Sequence, residues 1–382
     1  MILILHGRLF MNWKKDVGNS LLWEPSIEQI NNSQMSAFRE FINKEFKIKL
    51  KDYSELYNWS ILCPDKFWES MWKFSKIISS EPYTQIYDNI ENMPGATWFL
   101  GAKLNFAENL LKYRDDRIAI KFYGESQVYR ELTYSQLYRE VENFAAALKN
   151  MGVQNGDRVA AFIPNIPEAI IAMLATSSIG AIWSSSSPDF GIKGVLDRFS
   201  QIQPKVIIAA DGYYFKDKSL DSLKKLNGIL SDLPSVEKVV IVKYINKGQI
   251  SYIPNAVWWN DFSKPTTALL KFEQLPFNHP LYIMYSSGTT DKPKSIVHSA
   301  GGTLIQHLKE LILHTNLKRD DTIFYFTTCG WMMWNWLVSS LSVGSTVVLY
   351  DGNPFHPGPD ALLKIAADAK INLFGTSAKF IA

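Results

Sequence analysis

The sequence predicts an α/β protein built on doubly wound, mostly parallel sheets, and two observations carry this prediction. From Ile118 onward, short apolar runs rich in β-branched residues alternate with amphipathic helical stretches, a pattern typical of parallel strands joined by crossover helices. The chain has 382 residues, 47% hydrophobic and 20% charged, which suits a globular protein with one large α/β unit or a few ordinary domains. In such sheets, ligands bind beyond the carboxyl ends of the strands.

Two segments precede the alternating part. We expect residues 1–21 to be a dispensable extension in which 1–10 packs poorly, because Met11 is a plausible second initiation site. Residues 22–111 are rich in aromatic side chains separated by short polar breaks, and we expect them to wrap a larger core. A helix is predicted over Gln34–Phe46, and no other long helical period is evident in this segment.

Several residues in the alternating part mark the ends of predicted helices. Thr133 and Gln136 have the spacing of a capping box, Gly152 stands where a left-handed helix cap is needed, and Pro167 is placed to begin a helix. The predicted strands are 118–122, 158–163, 206–210, 239–242, 322–326, 345–349 and 372–375. The predicted helices begin at Thr133, Pro167 and Gly301-Gly302, and also span 219–230 and 359–369. We expect the last strand to have an open apolar edge.

The segment from Tyr282 to His298 reads as a short buried strand followed by a polar loop. A loop that closes on a polyphosphate needs close backbone approach, hydrogen-bond donors and positive charge. The residues that supply them are Ser286, Ser287, Gly288, Thr289, Thr290 and Lys294. The loop is not a Walker A motif, because Gly-x-x-x-x-Gly-Lys-Ser/Thr is absent. A polar surface hairpin is the alternative interpretation.

Bulky apolar side chains follow the strand predicted at 322–326. Trp331, Met332, Met333 and Trp334 could form a dry wall that holds a small carboxylic acid. Aromatic residues are more often plain core, and from the residues alone the two interpretations stay open.

Composition excludes several classes of protein. Lys and Arg total 40 against 37 for Asp and Glu, a net charge of +3, which is too even for a nucleic-acid partner. With two cysteines, Cys63 and Cys329, we expect no disulfide framework and a cytoplasmic location. The six histidines lack metal-ligand spacing, so no metal site is predicted. The uncharged stretch 322–350 is broken by polar residues, and we expect no membrane span.

The motifs together resemble a known family. The loop after Tyr285 resembles the phosphate loop of adenylate-forming enzymes, although Asp291 stands where these usually carry a small residue. Residues 94–111 are similar to the Trp-Phe-x-Gly-x-x-Leu-Asn block of short-chain acyl-CoA synthetases. Residues 180–191 and the Gly-Trp-Met-Met-Trp-Asn block resemble the acetoacetyl-CoA synthetase branch of that family.

This resemblance implies a two-step ligation. Acetoacetate would attack the α-phosphate of Mg²⁺-bound ATP, and coenzyme A would then displace AMP from the acyl-adenylate. The ATP phosphates would be bound by Ser286, Ser287, Gly288, Thr289, Thr290 and Lys294. The acyl pocket would be lined by Trp331, Met332, Met333 and Trp334. The family's catalytic lysine and its adenine, ribose and Mg²⁺ residues are expected beyond Ala382, so no catalytic residue is assigned.

On this interpretation, residues 112–382 are a partial AMP-binding domain that stops before the mobile C-terminal domain. We therefore expect the 382-residue polypeptide alone to make no acetoacetyl-CoA, and a separately encoded C-terminal half is one way to complete the site. Two alternatives remain: a ligase for another short acid such as acetate or propionate, and a non-catalytic nucleotide-binding fragment.

Overall fold

A computed structural model describes residues 2–4 (backbone only), 23–125, 128–286 and 292–381. The strands are β1 Ile2–Ile4, β2 Gln85–Asp88, β3 Thr97–Leu100, β4 Lys103–Leu104, β5 Ile118–Gly124, β6 Tyr129–Thr133, β7 Arg158–Phe162, β8 Ile182–Ser186, β9 Val206–Ala210, β10 Gly212–Phe215, β11 Lys218–Asp221, β12 Lys238–Val242, β13 Ala256–Trp258, β14 Leu275–Pro276, β15 Pro280–Ser286, β16 Lys294–Ser299, β17 Thr322–Tyr325, β18 Thr346–Asp351 and β19 Leu373–Gly375.

The α-helices are α1 Ile27–Asn31, α2 Gln34–Phe46, α3 Tyr53–Leu62, α4 Pro64–Phe74, α5 Phe106–Leu110, α6 Tyr134–Asn150, α7 Pro167–Ser178, α8 Ile192–Ile202, α9 Leu223–Leu230, α10 Trp259–Phe262, α11 Ala300–Lys309, α12 Met332–Ser339, α13 Ala361–Asp368 and α14 Ala378–Ile381. A π-helical turn, Glu310–His314, continues α11, and a 3₁₀ turn, Ser340–Ser342, continues α12.

Two mostly parallel sheets organise the molecule, which confirms the predicted fold class. The first has seven strands in the order β13-β12-β9-β7-β8-β15-β16, and the second has six in the order β1-β19-β17-β18-β5-β6. Antiparallel pairs occur at the sheet ends: β16 on β15, β6 on β5, and β1 on β19. All other neighbours are parallel, so both sheets bring their strand carboxyl ends to one edge.

The helix signals in the sequence correspond to helix ends in the structure. Thr133 and Gln136 form the reciprocal capping box that opens α6. The apolar stripe of α6 is fully buried, with Leu137 and Val141 at 0% exposure. Gly152 follows α6 at φ +85°, a left-handed conformation that costs glycine little, and Pro167 is in the first turn of α7. Local chemistry therefore sets these boundaries.

The aromatic N-terminal part packs onto the core through ring contacts. Trp72 of α4 stacks on Phe99 with ring centroids 4.7 Å apart, and Phe99 meets Phe277 at 4.9 Å. Because Phe277 precedes β15, this cluster fastens the wrapping segment to the strand that leads to the polar loop. Helix α2 has the predicted bounds, but the prediction that no other long helix lies in this segment is wrong, since α3 and α4 follow it.

Two other sequence-based expectations need correction. The helix expected over 219–230 is shorter, because its first residues belong to β11, which pairs with β10 as a hairpin. The open edge expected on the last strand is also not found: the backbone of Ile2–Ile4 pairs antiparallel with Leu373–Gly375. Whether residues 1–21 are dispensable stays a prediction, and apart from 2–4 they lie outside the described residues. No helix in the described part of the chain is long and apolar enough to cross a membrane.

Candidate active site

The polar loop stands at the carboxyl end of an inner strand of the seven-stranded sheet. Strand β15 ends at Ser286, β16 begins at Lys294, and these two residues are directly opposite each other in the antiparallel pair. Ser286 is half-buried, whereas Lys294 is exposed and forms no ion pair with another described residue. The predicted site residues Ser287, Gly288, Thr289 and Thr290, with Asp291, lie outside the described residues.

The predicted acyl wall occupies the start of α12. Trp331 precedes the helix and is 64% exposed, while Met332 and Met333 are half-buried. Trp334 differs from these three because its side chain is fully buried. Its indole Nε1 donates to Oδ1 of Asn165 at 2.9 Å, and its ring stacks on Trp183 of β8. Trp334 thus lies beneath the other three, at the junction between α12 and the seven-stranded sheet.

Strand β15, which leads to the polar loop, and the predicted acyl wall meet at Asn335. The Nδ2 atom of Asn335 is 3.5 Å from the sulfur of Met284 and 3.5 Å from the carbonyl oxygen of Trp331. Met284 is in β15, two residues before Ser286. The structure therefore brings the strand that carries the polar loop into contact with the segment that carries the bulky side chains.

The serine-rich end of β8 supports this junction. Ser185 Oγ donates to the carbonyl oxygen of Cys329 at 2.6 Å, and a Cβ at Gly330 would be 3.6 Å from Ser186 Cα. The hydrogen bond from Ser185 holds the segment that leads into α12 against the end of β8. The sequence argument assigned no chemistry to these serines and did not single out Asn165 or Asn335, because buried polar positioning residues have no spacing signal.

Several polar side chains at the strand ends are buried without a partner. Ser186, Thr328 and Thr376 each have a hydroxyl oxygen with no hydrogen-bond partner among the described residues, and they follow or end β8, β17 and β19. Asp351, the last residue of β18, lies at the same edge, and burial raises the pKa of its carboxyl to about 7. Since buried polar groups are normally paired, this edge between the two sheets is suited to a polar ligand.

Comparison with known proteins shows to which family the chain belongs. The family model for AMP-binding enzymes matches residues 106–381, and the model for the acetyl-coenzyme A synthetase N-terminus matches residues 53–110. The acetoacetyl-CoA synthetase of Danio rerio is 48% identical over 379 residues, which cover 95% of this chain and 55% of that protein. The malonamoyl-CoA synthetase of Penicillium aethiopicum is 37% identical, and the match covers 53% of that protein. The chain thus spans about half the length of these relatives.

A solved structure agrees with this placement. The acetoacetyl-CoA synthetase from Streptomyces lividans superposes with a TM-score of 0.90 at 38% identity, covering 94% of this chain and 56% of that one. The chain belongs to the AMP-binding enzyme family.

Proposed function

We propose that this chain provides the acid-binding and ATP-phosphate-binding part of an acetoacetate–CoA ligase, which converts acetoacetate, ATP and coenzyme A to acetoacetyl-CoA, AMP and diphosphate. The observation that carries the proposal is the contact between Met284 of β15 and Asn335 of α12. This contact supports the proposal because it joins β15, the strand proposed to bind phosphate, to the segment proposed to line the acyl pocket, and a carboxylate must be held against an α-phosphate.

The names of the relatives support the choice of acid. Acetoacetyl and malonamoyl groups both carry a second carbonyl at the third carbon, and the proteins named for them are 48% and 37% identical to this chain. Acetate and propionate lack that group. We therefore propose a short 3-oxo acid, and acetoacetate in particular, as the substrate.

The reaction would use the chain's residues mainly for positioning and for neutralising charge. An oxygen of the acid's carboxylate attacks the α-phosphorus, the bond to the bridging oxygen breaks, and diphosphate leaves. The thiol sulfur of coenzyme A then attacks the acyl carbon, and AMP leaves. Lys294, Ser286 and the hydroxyl groups of the adjoining loop would hold the phosphates, while Trp331, Met332 and Met333 would exclude water from the acyl group.

Mg²⁺ would enter as part of the Mg²⁺–ATP substrate. Within the described ranges, no group of three or more His, Cys, Asp or Glu side chains could hold a metal ion, and a nucleotide-bound ion needs only one or two carboxylates besides phosphate and water. The two free cysteines, one of them buried, support a cytoplasmic location.

The proposal is tested by ATP–diphosphate exchange with a panel of acids. The full-length protein that contains this sequence is given acetoacetate, butyrate, propionate or acetate with Mg²⁺–ATP and labelled diphosphate. We expect acetoacetate to support the fastest exchange, followed by acetoacetyl-CoA formation when coenzyme A is added. Faster exchange with acetate or propionate would favour a ligase for that acid, and no exchange with any of them would reject the ligase assignment.

The Lys294→Ala substitution is expected to lower kcat/KM for ATP about tenfold to a hundredfold. A charge-assisted hydrogen bond to phosphate contributes about 1.5–3 kcal/mol, and Lys294 begins β16 opposite Ser286 at the base of the loop. Since Lys294 is exposed, the folded state should be retained. Exchange kinetics at varied ATP concentration and circular dichroism measure the two effects.

Lys292→Ala is the matched control, because Lys292 is an exposed lysine two residues earlier on the same loop. A much smaller loss is expected there. Equal losses in both variants would indicate a general effect of loop charge, and unchanged exchange in Lys294→Ala would remove this lysine from the mechanism.

A further inference from the structure

Asn335 occupies an apolar position with a polar side chain. It is 2% exposed and lies one turn into α12, between Met284 of β15 and the carbonyl of Trp331. The remaining side chains of α12 are apolar or aromatic, apart from the final Ser339. Asn335 is thus the one residue of this helix that brings an amide to the acyl wall.

The carboxamide of Asn335 lacks good partners. Its Oδ1 is buried without a hydrogen bond, and the contacts of its Nδ2 with Met284 and Trp331 are both 3.5 Å long. An N–H···O hydrogen bond normally measures 2.7–3.2 Å, so the contact with the Trp331 carbonyl oxygen is long. The contact with Met284 has an ordinary length for sulfur, but a thioether is only a weak acceptor. An unmade hydrogen bond at a buried group destabilises the fold. An amide left in this state is available to a better acceptor.

Trp331, Met332 and Met333 can select an acyl group by its length, because a longer chain would collide with them. Their largely apolar side chains offer little hydrogen bonding to an oxygen on that chain. A hydrophobic pocket discriminates weakly between substrates of similar shape, whereas a site built to hydrogen-bond a polar group strongly disfavours an analogue that lacks it. Acetoacetate and butyrate have the same carbon chain and differ at the third carbon, where acetoacetate has an oxo oxygen.

We propose that Asn335 is the specificity-determining residue for the acid, its Nδ2–H donating a hydrogen bond to the 3-oxo oxygen. This inference rests on the proposed ligase function and adds the group that recognises the substrate class. Binding a 3-oxo acid would pair the Nδ2 donor well, while butyrate would leave it with its two weak contacts.

The test compares acetoacetate with butyrate in the full-length protein that contains this sequence. Asn335→Leu removes the amide at similar volume, and Asn335→Ala removes it without the risk of overpacking. The measured quantity is the ratio of kcat/KM for acetoacetate to kcat/KM for butyrate, with the melting temperature of each variant recorded alongside. We expect the ratio to fall about tenfold to a hundredfold, with kcat/KM for butyrate staying within about threefold.

Ser340→Ala is the control for general loosening of this region. The Ser340 hydroxyl is buried in the 3₁₀ turn after α12, and among the described residues its one hydrogen bond is to the Leu337 carbonyl. Its acid ratio should match that of the wild type. Parallel losses with both acids in the Asn335 variants, or an unchanged ratio, would overturn the inference and leave the ligase function standing. A wild-type protein that does not prefer acetoacetate over butyrate would overturn the proposed acid and this inference together.

Discussion

Replacing Trp334 by alanine is expected to lower the free energy of unfolding by about 3–5 kcal/mol, the range for removing a large aromatic side chain from a core. Trp334 is fully buried and stacks on Trp183. Its loss also removes the donor to Asn165 Oδ1. The other two bonds of Asn165, from Nδ2 to the carbonyls of Thr327 and Tyr350, are long at 3.4 Å, so the side chain that joins the two sheets loses its best hydrogen bond.

Trp331→Ala is the matched control, because this residue is three positions earlier and 64% exposed. Its effect on stability should be within about 0.5 kcal/mol, while kcat/KM for the acid falls roughly tenfold if the indole covers the acyl group. Urea unfolding followed by circular dichroism gives the two stability changes. A loss below about 1 kcal/mol in Trp334→Ala would show that the side chain is not part of the core.

This contrast shows where inference from the sequence stops at the candidate site. Four consecutive bulky residues identify the segment Trp331 to Trp334 as a candidate wall. They do not indicate the direction in which each side chain points. Whether all four contact the acid stays a prediction. Asn165 and Asn335 could not be found from the sequence, since their roles depend on partners more than 160 residues away for Asn165 and on β15 for Asn335.

More of the fold than of the candidate site could be predicted from the sequence, because the signals that set helices and strands are local. A capping box, a proline at a helix start and runs such as Val206–Ala210 act within a few residues, and the structure has these elements where they were expected. Helix α3 gave no one-sided apolar pattern, because Tyr53, Tyr57 and Ile61 are exposed while Leu56 is buried. The pairing of Ile2–Ile4 with Leu373–Gly375 joins segments almost a chain length apart, which no local rule predicts.

Acid is expected to destabilise the fold through His307. This imidazole is 4% exposed, and burial lowers its pKa to about 3, with a smaller contribution from His298. Ser339 Oγ donates to the Asn335 carbonyl oxygen at 3.0 Å, so its hydroxyl hydrogen is in use, and His307 Nδ1 must donate to that same Oγ at 2.7 Å. The neutral ring with its proton on Nδ1 therefore fits the site, and a charged ring does not.

The direction of the pH effect follows from the two protonation states. An unfolded chain protonates histidine near pH 6.5, so between about pH 6.5 and 3 the unfolded state binds one more proton at this position than the folded state. The stabilisation from neutral His307 is fully present above pH 6.5 and is lost as pH falls, by about 1.4 kcal/mol per pH unit. Asp351 acts in the opposite sense, because its raised pKa makes the folded state bind the extra proton up to about pH 7.

Comparison with His307→Asn isolates the histidine, since the contribution of Asp351 is common to both proteins and cancels. Asparagine keeps an N–H donor for Ser339 but cannot titrate. The difference in free energy of unfolding between wild type and variant should shift by about 2 kcal/mol against the wild type between pH 7.5 and 5.0, as measured by urea unfolding at each pH. His314→Asn, at an exposed position in the adjoining π-helical turn, should change the slope far less. Parallel pH profiles for wild type and His307→Asn would mean that His307 takes up its proton over the same pH range in the folded and unfolded states, so that burial does not keep this ring neutral.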